Sequence, residues 1–186
     1  ESTLSSRPSN ITEFTIMAKL SSVPRNPFQS ALVYGPPKVG KTQLVSELSE
    51  QFNLLWFDLE NGHATLFKLP QEQQEKIELV CLPDSRSYPI AIETGLKAIR
   101  GNRGWIDDET GKWIADEKLL KADKQYTEVH LNALGRDWVV VFDSLTQLTN
   151  SAIANITKNQ PDDYKLQFDD WGNLGKLMDV FLSHVQ

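Results

Sequence analysis

One short stretch constrains this chain more than any other. An apolar run, Ala31-Leu32-Val33-Tyr34, stops abruptly at Gly35-Pro36-Pro37-Lys38-Val39-Gly40-Lys41-Thr42, and Leu44, Val45 and Leu48 follow at helical spacing. The pattern predicts a strand over 31–34, a tight glycine-bounded turn, and a helix over 41–51. The turn matches G-x-x-x-x-G-K-[ST] throughout, in the strand–turn–helix setting that gives the motif its meaning. Gly35 and Gly40 allow backbone angles closed to other residues, so that successive N–H groups can turn inward on an anion. The helix start adds its positive dipole end. Lys41 is expected to reach terminal phosphate oxygens, and the Thr42 hydroxyl to ligate magnesium. The expected nucleotide-binding stretch comprises Gly35, Pro36, Pro37, Lys38, Val39, Gly40, Lys41, Thr42 and Gln43, with Lys38 in a free position of the motif that carries no specific role. The ligand these residues predict is ATP with Mg²⁺.

Such a cradle needs an acidic residue on a neighbouring strand to hold the metal through water. Asp143 closes the most hydrophobic run of the chain, Trp138-Val139-Val140-Val141-Phe142, and is the expected metal-side carboxylate. The next residue is Ser144, so no glutamate adjacent to Asp143 can act as base. Glu60 is the candidate instead. It ends Leu54-Leu55-Trp56-Phe57-Asp58-Leu59-Glu60, just beyond an apolar run, and so emerges at the carboxyl edge of a sheet, where open α/β sheets bind ligands. Its expected task is to accept a proton from the attacking water. Strand alternation puts Asp58 and Glu60 on one side, with both facing the nucleotide edge.

Further strands are expected at 54–57 and 77–82, and helices at 90–100, 146–158 and 168–185. Strands alternating with helices imply a mainly parallel sheet covered on both faces, and the apolar runs at 31–34 and 138–142 fit strands buried on both sides. Residues 1–28 read as a lead-in and 29–186 as an α/β core. Residues 101–136 read as an insertion in that core: Trp105-Ile106 and Trp113-Ile114 flank a polar turn and predict a small hairpin, followed by a charged, partly helical segment. Residues 97–137 hold eight basic and eight acidic side chains, so the region offers no basic excess. Trp105 and Trp113 could stack on unpaired bases, but such a pair more often braces its own hairpin. Trp171 is expected to pack a helix against the core.

The chain has 186 residues and a net charge of −6, which argues against wholesale electrostatic binding of nucleic acid. A single cysteine, Cys81, forms no internal disulfide, and no Cys/His spacing suggests a metal site. Cys81, His63, His130 and His184 are expected to be packing or surface residues. No membrane span or signal peptide is evident, which predicts a cytoplasmic protein.

Three segments together resemble the RecA class of P-loop ATPases: residues 35–42, Trp56-Phe57-Asp58-Leu59-Glu60-Asn61-Gly62, and Val139-Val140-Val141-Phe142-Asp143-Ser144-Leu145. In that class an Asp-x-Glu element ends the strand after the P-loop helix, its Glu activates water, and the metal-side Asp is commonly followed by Ser. Within the class the chain is most similar to phage-encoded ATPases of recombination and single-strand annealing. The Asp58-Leu59-Glu60-Asn61-Gly62 segment, the insertion before Asp143, and Asp170-Trp171-Gly172 contribute to that similarity. The resemblance implies single-stranded DNA as partner, a homo-oligomer in the full-length form, and ATP bound between adjacent subunits. It also implies further strands beyond residue 186, so the core reads as incomplete at that end. A helicase-type motor, a small-molecule kinase with residues 112–124 as its lid, and a nucleotide-dependent scaffold are the alternatives.

Overall fold

The computed structural model describes residues 29–185 except Pro83 and Arg86; the expected lead-in at 1–28 lies outside the described residues. The central element is β1 (Asn53–Asp58), where Leu54 to Asp58 are all buried. Parallel to it run β2 (Ile77–Cys81) on one side and β6 (Trp138–Asp143) on the other, giving the order β2-β1-β6.

Side chains alternate across this sheet. Leu54 and Trp56 point to one face, where Leu66 and the partly buried Val45, Phe52, Ile77, Leu79, Val139 and Val141 join them. That face is covered by α1 (Lys41–Ser46), the 3₁₀ turn after it (Glu47–Glu50) and a second 3₁₀ turn, His63–Lys68. A short helix, α2 (Gln71–Gln74), leads into β2. Leu55 and Phe57 point to the other face, into the main core. There α3 (Ile90–Ile99), α4 (Leu145–Thr157) and α5 (Phe168–Val185) pack together over the sheet. Phe57 stacks on Phe142 of the next strand at 4.7 Å, and Phe181 of α5 meets Phe142 edge-on at 5.0 Å. Phe57 and Phe181, both fully buried, each contribute roughly 1.5–3 kcal/mol of hydrophobic free energy. The expected α/β class, with a parallel sheet between helices, is the observed one.

Residues 101–136 form more than a hairpin. β3 (Gly104–Asp107) pairs with β4 (Trp113–Ile114) on one side and β5 (Tyr126–Val129) on the other, a three-stranded antiparallel sheet. The charged stretch between β4 and β5 has only one 3₁₀ turn, Glu117–Leu119. Ile106, Trp113 and Val129 belong to the main core, so this sheet is built into the molecule and is not an appended flap. Gly104 makes room for it: a Cβ there would lie 2.2 Å from the Trp113 ring.

Four expectations are corrected. Residues 31–34 form no strand, and Leu32 and Tyr34 are 70% and 87% exposed. An apolar run becomes a strand only beside a partner, and among the described residues none lies against this one. For the same reason β6 is half-buried along its whole length, and the strand buried on both faces is β1. The helix expected over 41–51 changes to a 3₁₀ turn at Glu47. Ser46 Oγ donates to the Gln43 carbonyl at 2.8 Å and Ser49 Oγ to the Ser46 carbonyl at 2.6 Å, and these local bonds compete with the regular helix ladder. Finally, Trp171 is 55% exposed; α5 packs instead through Leu174 and Phe181.

Candidate functional site

Parallel strands bring their carboxyl ends to one edge. In this sheet the register aligns Asp58 of β1 with Asp143 of β6 and with Cys81 of β2, a row across three strand ends. The ladder continues one step beyond: the Leu59 N–H donates to the Asp143 carbonyl at 2.8 Å and the Leu82 N–H to the Asp58 carbonyl at 3.0 Å. The loops leaving β1 and β6 therefore start side by side.

The glycine-bounded turn borders the same edge. Gly40 takes φ +93°, a left-handed conformation that admits glycine readily, immediately before α1; Lys38 is also left-handed, at φ +65°. Residues 35–40 are all exposed. The Lys41 ammonium crosses the turn, donating to the carbonyls of Gly35 at 3.1 Å and Pro36 at 3.0 Å. The Thr42 hydroxyl donates to Asp143 Oδ2 at 2.9 Å. Turn and strand end, 101 positions apart in sequence, thus meet through the two side chains expected on the metal.

Asp143 sits in an environment that disfavours its charge. Burial pushes its carboxyl above the usual range; the Thr42 hydrogen bond opposes the rise, while the nearby Glu60 and Asp58 carboxylates add to it and the Lys41 ammonium subtracts. A hard cation would relieve that crowding, and a hydroxyl beside a carboxylate is the oxygen donor set that magnesium accepts alongside water and phosphate.

Glu60 is exposed, and its carboxylate accepts a hydrogen bond from the Ser144 hydroxyl. Ser144 is also the N-cap of α4, its Oγ accepting from the Gln147 N–H at 3.4 Å. The Asp143–Ser144 peptide is cis. The structure thus places Lys41, Thr42, Asp143 and Glu60 around one edge. Gln43 and Val39 lie exposed on the adjoining surface, with no bond to that group.

Asp58 departs from its expected orientation. β1 ends at Asp58, so alternation no longer governs Glu60. The Asp58 carboxylate, only 1% exposed, turns into its own loop. Oδ1 accepts from the N–H groups of Glu60 at 3.1 Å and Gly62 at 3.0 Å. Oδ2 accepts from the His63 N–H at 3.1 Å and lies 2.6 Å from His63 Nδ1. A carboxylate only accepts, so Nδ1 carries the imidazole proton in that contact. His63 and Cys81 are therefore not unrelated packing residues: Asp58, His63 and Cys81 offer three metal-capable atoms within 4.8 Å of one another. Yet both Asp58 oxygens are already engaged, and Asp58 and Cys81, the latter at 3.9 Å, address the same imidazole nitrogen. Burial raises the Cys81 thiol, with Asp58 and then Asp108 adding to the rise, so the neutral thiol is favoured. This is a loop-organising cluster, and neither a nucleophile nor a metal centre follows from it. Its one sequence signal was the Asp-Leu-Glu-Asn-Gly-His string, a side chain that can cap the turn after it.

The aromatic pair also departs from expectation. Trp113 is buried, while Trp105 sits on the opposite face of the sheet with the Arg103 guanidinium 5.0 Å from its ring. They do not form a joint stacking platform. Among the described residues no helix is long and apolar enough to cross a membrane.

Comparison with curated proteins and with solved structures gave no match. Residues 28–186 match the model of the AAA domain family. That match covers most of the sequence and takes in the glycine-bounded turn with its lysine and threonine, so the chain belongs to the AAA domain family, a P-loop ATPase type.

Proposed function

We propose that the protein is a magnesium-dependent, RecA-like ATPase that works with single-stranded DNA in strand annealing and recombination, as phage-encoded enzymes of that class do. The observation that carries the ATPase reading is the convergence at one sheet edge: Thr42 bonded to Asp143, Lys41 across the turn, and Glu60 held by Ser144. Lys41 binds and orients the β- and γ-phosphates. Thr42 and Asp143 hold magnesium, which when bound neutralises charge on the phosphates. Glu60 orients a water and takes its proton as the water attacks the γ-phosphorus; ADP and phosphate leave. The exposed turn and the exposed Glu60 leave room for a partner subunit over the nucleotide.

The DNA partner rests on sequence resemblance alone, since Trp113 is buried and the net charge is −6. A kinase reading would need a basic lid over residues 112–124, but Lys124 is committed to Asp107 at 2.9 Å and Glu109 at 3.1 Å. The test is phosphate release from ATP with magnesium, with and without single-stranded DNA. The proposal expects turnover that Glu60→Gln lowers ~10²-fold at near-normal ATP affinity, and that single strands stimulate. Transfer of phosphate to a small acceptor in place of water would replace it with the kinase reading.

A further inference from the structure

Glu60 is exposed and stands beyond the end of β1, where nothing in the sheet ladder fixes it. A general base must nevertheless sit within hydrogen-bond reach of its water. Two independent contacts supply the restraint. At the backbone, the buried Asp58 carboxylate gathers the N–H groups of Glu60, Gly62 and His63, with His63 Nδ1 as a fourth donor. At the side chain, the Ser144 hydroxyl donates to Glu60 Oε1 while accepting the Gln147 N–H, which ties Glu60 to the first turn of α4. Ser144 directly follows Asp143, so this tie indexes the base to the metal-side carboxylate.

We propose that Asp58 and Ser144 are positioning residues that clamp Glu60, Asp58 through the loop backbone and Ser144 through the carboxylate. The assignment rests on the ATPase reading above. It gives a use to a carboxylate that contacts no phosphate-binding group and to a serine in the place where a base might stand. Asp58 needs to be charged because it serves four donors; a neutral amide would serve Oδ1's two and turn an N–H₂ group toward His63. Ser144 needs a hydroxyl because it must donate and accept at once.

The experiment measures kcat and equilibrium ATP affinity for Asp58→Asn, Ser144→Ala and Ser144→Thr, each alone and combined with Glu60→Gln. Asp58→Asn and Ser144→Ala are expected to lower kcat ~10-fold, inside the ~10²-fold that misplacing a reacting group can cost, with ATP affinity held. Ser144→Thr, which keeps the hydroxyl, restores most of the rate. In the Glu60→Gln background neither substitution lowers kcat further, because residues acting as one unit are not additive. Losses that multiply onto Glu60→Gln, or full activity in Ser144→Ala, overturn the clamp while leaving Glu60 as base. Glu60→Gln turning over like the parent protein removes the base reading, and the clamp with it. Hydrogen exchange reads the backbone half without turnover: Asp58→Asn should speed exchange at the amides of Glu60, Gly62 and His63 by a larger factor than at those of Leu55 and Phe57, which follow global stability alone. Unchanged loop exchange overturns that half whatever the rates.

Discussion

Asp58 and Asp143 stand side by side in register at the ends of adjacent strands, and the protein treats them in opposite ways. Asp58 is sealed from solvent and accepts four hydrogen bonds, three of them from backbone N–H groups. Asp143 is half-buried, takes a side-chain hydrogen bond from Thr42, and is pushed toward its neutral form by burial and by two neighbouring carboxylates. A buried charge that is fully served by donors is part of the frame. A carboxylate served by a single hydroxyl at a strand end, beside an exposed turn, is left with unmet acceptor capacity. Position along the strand does not separate these roles; the donors each carboxylate meets do.

The same substitution at both sites should break or sharpen that contrast, but the largest expected effect lies next to them. Lys41→Ala removes the ammonium that crosses the turn. ATP affinity should fall ~10²-fold or more, the scale of losing a hydrogen-bonded charge partner, with folding stability hardly altered because the turn is exposed. Titration of a fluorescent ATP analogue in magnesium checks this; equal affinity would leave the glycine-bounded turn without its assigned ligand.

Next in size is Asp58→Asn, which leaves donors facing an amide in a closed loop. It should cost about 1–3 kcal/mol of stability, the penalty for unsatisfied buried polar groups, seen as a lower urea midpoint. Asp143→Asn should stay within about 0.5 kcal/mol of the parent without ligands, because removing a crowded charge offsets the changed Thr42 contact. Its effect should appear as ATP affinity that no longer responds to magnesium. If instead Asp143→Asn unfolds the protein and Asp58→Asn does not, the two roles are reversed.

The smallest effect is expected in the second sheet, where a third aspartate provides a scale. Asp107 is held below its ordinary range, chiefly by the Lys124 ammonium at 2.9 Å, with burial opposing and the Thr110 contacts helping. Its folded pKa lies below its unfolded one. The stability it adds is therefore complete above the unfolded value, near 3.9, and is lost as pH falls through the folded value. Acidification below about pH 4 should speed hydrogen exchange in β3 and β5, and Lys124→Ala, which lets the folded value rise toward the unfolded one, should shrink that acid-dependent change. An acid-dependent change of undiminished size in Lys124→Ala would mean that the loop amides alone hold Asp107.

Much of this was legible in residue order. The glycine-bounded turn, the strands ending at Asp58 and Asp143, the helices over α3, α4 and α5, and the parallel class follow from local pattern, because period and punctuation are local properties. The run at 31–34 misled because it has a strand's composition without a neighbouring strand. Trp171 misled because an aromatic on a helix does not reveal which face is covered, and Leu174 and Phe181 take the buried face here. Sheet order was not legible either, so the most apolar run became the half-buried β6 while Leu54-Leu55-Trp56-Phe57 took the centre.

The sequence by itself determined the chemistry on offer: a glycine-bounded turn with Lys41 and Thr42, and acids at the ends of apolar strands. A motif encodes backbone freedom and functional groups within a few residues, and no distant contact is needed to read it. Only the tertiary structure decided which acid meets which donor. Thr42 reaches Asp143 across 101 positions and Ser144 reaches Glu60 across 84. Asp58 turns inward to its own loop although it shares a register row with Asp143. Those choices depend on strand register and on how closely two loops approach, and a fraction of an ångström in either decides whether a carboxylate finds a row of N–H groups or a single hydroxyl.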